Sequence, residues 1–152
     1  MKELLIISLV FSFSICSLYS QNKTIKGRVI SEDFETLPGV SIMIKDTVKV
    51  GRTDIKGFFQ VDIPLSEERI QFSFLGLEST TIELKEKCNK VDVVMMYSYT
   101  YDFITLKRAD KKRKKRHKKL PKIHKQAFEK GIFETKCACY NRTFESFYLQ
   151  EN

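Results

Sequence analysis

The stretch Lys111–Lys119, "KKRKKRHKK", holds eight cationic side chains in nine residues, with His117 the exception. Cations at that density do one kind of chemistry: they attract anions, and the attraction weakens as salt screens it. Lys111, Lys112, Arg113, Lys114, Lys115, Arg116, Lys118 and Lys119 are therefore the candidate polyanion-binding residues. No apolar residue interrupts the run, so it offers no face to bury. The sequence predicts a solvated linker, or an exposed helix that forms only on an anionic partner. Just upstream, "YSYTYDF" places Tyr97, Tyr99 and Tyr101 at every second position, on one face of an extended chain. Such rings can stack on sugars or bases as surface aromatics, and the same spacing suits a strand extension whose rings pack on the body of the protein.

The remaining reactive side chains are few. His117, His124, Cys137 and Cys139 are ligand types that suit zinc, but their spacings match no familiar site, and no metal or other cofactor is expected. Asp46 and Asp54 stand near turns without the further oxygen ligands that calcium needs. Both histidines lie in or beside the basic segment, with no nucleophile and positioned base between them. No catalytic residue and no substrate are predicted.

The compartment decides how the charge and cysteines are read. Lys2, the apolar run "LLIISLVFSFSIC" at Leu4–Cys16 and then Ser20 before Gln21 have the order of a secretory signal peptide cut after Ser20. Lipidation at Cys16 is disfavoured, because Ile15 and Phe13 stand where a small residue and Leu are usual. No other apolar stretch is long enough to span a bilayer. The expected location is periplasmic, outer-membrane-associated or secreted. In an oxidising compartment Cys88, Cys137 and Cys139 leave one thiol over; a bond between residues two apart would be strained in an extended chain, so Cys88 is expected to pair with Cys137 or Cys139. The net charge is +8, yet residues 107–125 alone carry +11, so the rest sums to −3. The basic character belongs to one segment.

The elements that must hold that segment are read from periodicity. Apolar residues alternate with polar ones at Val40–Ile44, Phe59–Ile63, Ile70–Phe74, Ile82–Leu84 and Val91–Met95, the pattern of strands with one face buried and one toward water. "LPG", "TDIKG", "PLSEE" and "LGLE" supply the turns between them. About seven short strands at this spacing predict an all-β sandwich.

Several of these residues carry a resemblance. Gly27 and Val29, Leu37–Val40, then Gly51, Thr53, Asp54, Gly57 and Phe59, and finally Phe72–Phe74 with Gly76, resemble the carboxypeptidase regulatory-like domain. That family is a transthyretin-like (prealbumin-like) seven-stranded β-sandwich, often found at the front of bacterial TonB-dependent outer-membrane receptors. These are framework positions, so the resemblance implies a fold more strongly than a function. A receptor of that class would continue into a plug and a barrel. A zinc carboxypeptidase would need H-x-x-E with a later His, and a transthyretin-like hydrolase a Y-R-G-S signature; neither motif is present.

Beyond the basic run, "PKIHKQAFEKG" places Ile123, Ala127 and Phe128 at helical spacing between Pro121 and a stop at Gly131, and "FETKCACYNRTFESFYL" reads as two short extended runs around "NR". The expected organisation is a signal peptide at 1–20, the sandwich at 21–98, an aromatic then polybasic linker at 99–125, and a small Cys-containing tail at 126–152. The expected function is that of an exported, non-enzymatic binding or scaffold module of the bacterial cell envelope. It would be peripheral to the membrane, with its basic segment meeting an anionic envelope component or a protein partner. The alternative is a polyanion or nucleic-acid binder that uses the basic run together with the Tyr row.

Overall fold

The computed structural model describes residues 21–146; the predicted signal peptide, with Cys16, lies outside them. The chain runs through β1 (Asn22–Ser31), β2 (Ser41–Ile44), β3 (Val48–Arg52), β4 (Phe58–Pro64), β5 (Arg69–Ser73), β6 (Thr80–Leu84) and β7 (Val93–Met95). Two helices follow, α1 (Leu106–His117) and α2 (Leu120–Glu129), then a last strand, β8 (Tyr140–Arg142). Two sheets face each other, one in the order β4-β1-β7 and one in the order β3-β2-β5-β6-β8. β1 pairs antiparallel with β4 from Asn22↔Pro64 to Arg28↔Phe58 and parallel with β7 through Val29↔Val93. This is a β-sandwich with a basic, partly helical extension, and the extension adds the eighth strand.

Alternation builds the main core. Val40 and Ile42, Phe59, Val61 and Ile63, Ile70 and Phe72, and Ile82 and Leu84 all point between the sheets with Ile25, Val29, Val91, Val93 and Met95. Phe74, in phase with Ile70 and Phe72, falls just past the end of β5 and is 36 % exposed. Gly27 is fixed by close approach: a Cβ there would lie 1.7 Å from the Val91 carbonyl oxygen. Gly57 closes the β3–β4 turn at φ +79°, a conformation that costs glycine little. In the same turn the Asp54 carboxylate accepts from the amides of Lys56 (2.9 Å) and Phe58 (2.8 Å), so its oxygens shape the loop.

β7 departs from the expected half-wet strand. Val94 and Met96, predicted to face water, are as buried as Val93 and Met95. They form a second core with Ile30 on the outer face of the β4-β1-β7 sheet, covered by Leu120 and Ala127 of α2 and by Phe133. α2 crosses residue 125, where the sequence suggested a boundary between linker and tail, and Pro121 sits in its first turn. Its buried face is Leu120, His124 and Ala127, whereas Phe128 is largely exposed. Asn141 and Arg142, read as the turn of the tail, lie inside β8, which pairs with β6 through Glu83↔Asn141.

Candidate functional site

The basic run is helical and docked, which corrects the reading of it as a run with no face to bury. Thr105 caps α1, its hydroxyl accepting from the Arg108 amide at 3.4 Å. Ala109, Asp110 and Arg113 are buried and Arg116 half-buried, four positions on one side of the helix. The buried face is built of charge. Arg113 lays its guanidinium against Glu78, Nε to Oε1 and Nη2 to Oε2 both at 3.1 Å, while Nη1 donates to Asp110 Oδ1 at 2.9 Å and to the Glu145 carbonyl at 3.0 Å. Arg116 pairs with Glu32, donates from Nη2 to the Tyr97 carbonyl at 2.9 Å, and stands 4.3 Å over the Tyr99 ring.

Residue type explains which cations went inward. A guanidinium is a planar fork that fits a carboxylate with two parallel hydrogen bonds and tolerates dehydration better than an ammonium. The two arginines of the run therefore dock the helix, and the six lysines stay in water. Lys111, Lys112, Lys114, Lys115, Lys118 and Lys119 are all exposed, with Lys107, Lys122 and Lys125 extending the surface at either end. At about 1.5 Å of rise per residue α1 is about 18 Å long, so Lys107, Lys111, Lys112, Lys114 and Lys115 lie along a rigid rod and the others continue from its C-terminal end. Lysines three and four apart repel, and an isolated helix of this composition would pay for that repulsion. The contacts with Glu32 and Glu78, on loops of the sandwich, hold it.

The aromatic row is engaged with the protein. Tyr97 donates its hydroxyl to Glu35 at 3.0 Å, its ring lies 6.4 Å from that of Tyr99, and Tyr99 in turn carries Arg116 on its face. Tyr101 is half-buried and Phe103 fully exposed.

The tail locks the assembly. Cys88 and Cys139 form a disulfide with their Cα atoms 5.7 Å apart, and Cys137 is an exposed free thiol. Arg142 donates to the Val94 carbonyl at 2.6 Å and Tyr140 to the Asp92 carbonyl at 3.0 Å, so β8 side chains satisfy the outer edge of β7. Burial pushes the Tyr140 hydroxyl up to about 12. Phe144 lies beside Arg113 and His117, with ring contacts of 5.1 and 5.6 Å. His124 donates from Nε2 to the Thr135 carbonyl at 2.9 Å. Burial, then the nearby Arg142 and Arg113, push His117 below its ordinary value; burial does the same to His124 against the opposing pull of the Thr135 carbonyl and Asp92. Among the described residues no three His, Cys, Asp or Glu side chains converge on a metal position, and no helix is long and apolar enough to cross a membrane.

Sequence reasoning missed Glu32, Glu78 and Asp110, the carboxylates that receive the arginines. A signal existed at the start of the run: Asp110, just before it, and Arg113 and Arg116 within it stand three apart, the spacing of one helix face.

Residues 25–103, just over half of the chain, match a family model described as the CarboxypepD_reg-like domain. A stretch of 77 residues is 34 % identical to the TonB-dependent receptor P3 of Formosa agariphila; it covers 50 % of this chain and 8 % of that receptor.

Proposed function

Because the chain belongs to the CarboxypepD_reg-like domain family, we propose that it is a non-enzymatic module of the bacterial cell envelope whose sandwich presents a lysine-faced helix to an anionic envelope component. The observation that carries this reading is the division of the basic run: Arg113 and Arg116 hold α1, while six lysines face water, four along α1 and Lys118 and Lys119 at its junction with α2. The likeness to part of an outer-membrane receptor supports an envelope location, as does the signal-peptide pattern at residues 1–20. Association is peripheral and electrostatic. Each lysine near an anionic membrane surface contributes on the order of 1 kcal/mol, so even half of the six would give attachment that a salt wash reverses.

The nucleic-acid reading has less support, because it needs open aromatic faces beside the cations. Tyr99, though 53 % exposed, already carries Arg116 against its ring, and the Tyr97 hydroxyl is taken by Glu35.

Fractionation tests the reading. The wild-type chain is expected in the envelope fraction at low salt and in the soluble fraction after a high-salt wash. A variant with all six lysines changed to Gln is expected to be soluble throughout. A wild-type chain already soluble at low salt would sink the proposal.

A further inference from the structure

Where α1 meets α2, a cleft of about 670 Å3 opens between the helix junction and the tail. Its volume falls within the range of about 300–1,000 Å3 typical of small-molecule sites. Val94, Leu120, Ala138 and Tyr140 make an apolar wall, and Lys118, Lys125 and Lys136 stand around it with Arg142. None of its lining residues is acidic, although the chain holds 19 acidic residues against 27 Lys and Arg. Lys125 has one acidic neighbour, Glu129 at 3.8 Å on the exposed side of α2. His117 and His124 also line the cleft, and His117 Nε2 and His124 Nδ1 are buried with no hydrogen-bond partner. A buried polar nitrogen left unpaired is unfavourable, and each of these becomes a donor when an anion nearby favours its protonation. An apolar wall rimmed by cations is what an acyl chain ending in a charged head requires; the Arg142 guanidinium also donates to the Val94 carbonyl and Thr80 Oγ1, which fixes it in place.

We infer that this cleft binds a single-chain amphipathic anion, an acyl carboxylate or its phosphate counterpart, with the chain against Val94, Leu120 and Ala138 and the head among Lys118, Lys136 and Arg142. The cleft shares Lys118 with the outward lysine face, but its apolar wall, Lys136 and Arg142 are not among that face's residues, and the site does not depend on the envelope reading.

Equilibrium dialysis of the full folded chain against decanoate, decanol and acetate tests it. Decanoate is expected to bind saturably, with decanol and acetate each weaker by about tenfold or more because they lack the head or the chain. Ala138→Trp, which fills the wall, is expected to abolish decanoate binding. Should that variant fail to fold, Lys118→Glu with Lys136→Glu reads the same site and is expected to weaken binding by about tenfold. Lys45→Glu with Lys49→Glu makes the same change in net charge at the opposite edge of the five-stranded sheet and is expected to leave binding unchanged. Decanoate should also slow alkylation of the exposed Cys137 thiol, which lines the cleft. Absence of saturable binding, equal binding of decanol, or equal losses in both charge-reversal pairs would each overturn the inference. None of those results bears on release of the chain by salt.

Discussion

At the scale of single residues, the two arginines of the basic run act as structural groups while the lysines around them remain solvated. Arg113 is 5 % exposed and Glu78 9 %, so removing the guanidinium leaves a buried carboxylate with, among the described residues, only the more distant Arg116 Nη1, at 3.8 Å. Arg113→Ala is expected to cost about 3–5 kcal/mol in denaturant unfolding, the usual penalty for breaking a buried pair from one side. Lys111→Ala, on the wet face, should stay within about 0.5 kcal/mol. Equal effects would mean that the helix is not held by its arginines. The histidines give a pH prediction with a definite sign. Both are pushed below their ordinary value, so the folded chain binds fewer protons than the unfolded chain between the folded values and about 6.5. Their contribution to stability is complete above that range and is lost as pH falls through it. The thermal midpoint should drop between about pH 7.5 and 5.5, and His117→Gln with His124→Asn should flatten the drop. Composition did reveal the cations here, and the spacing of Asp110, Arg113 and Arg116 marks one helix face, but the partners that hold that face, Glu78 and Glu32, are 35 and 84 residues away in the chain, and a local pattern does not carry them.

Among the elements, strand alternation made most of the sandwich legible, because one face of β2, β4, β5 and β6 packs on the core and the other meets water. The same rule failed at β7. Val93–Met96 is four apolar residues in succession, which is how a strand covered on both sides reads, and α2 supplies the second cover. β8 was hidden for a different reason: three residues pairing with β6 from nearly sixty positions downstream leave little periodicity to find. The disulfide fastens that strand's segment to the sandwich across 51 residues of chain. On the chain-entropy model a loop of that length contributes about 4 kcal/mol. Reduction, or Cys88→Ser, should therefore lower the unfolding midpoint and expose the tail to protease before the sandwich is cut. Simultaneous cleavage of both would show that the tail is no separate unit of stability. Gly27→Ala should also destabilise, by about 1–3 kcal/mol or more, since its methyl group would have to displace the Val91 backbone.

Taken as a whole, the molecule separates two kinds of charge. The sandwich and tail are on balance acidic, the segment 107–125 carries +11, and the acids that matter most are spent on docking that segment. The result is a rigid cationic rod on a neutral-to-acidic body, which suits attraction to a surface at one face better than envelopment of a ligand. The measurement that tests this most directly is co-sedimentation of the wild-type chain and the six-lysine Gln variant with vesicles of anionic and of zwitterionic lipid, over a range of salt. The wild-type chain should bind anionic vesicles at low salt, lose that binding steeply as salt rises, and ignore zwitterionic ones. Replacing any two of the lysines should weaken binding by about thirtyfold at low salt, at roughly 1 kcal/mol each. Binding that is indifferent to salt, or undiminished in a six-lysine variant that still folds, would contradict the claim that the lysine surface of α1 is the chain's docking face for anions.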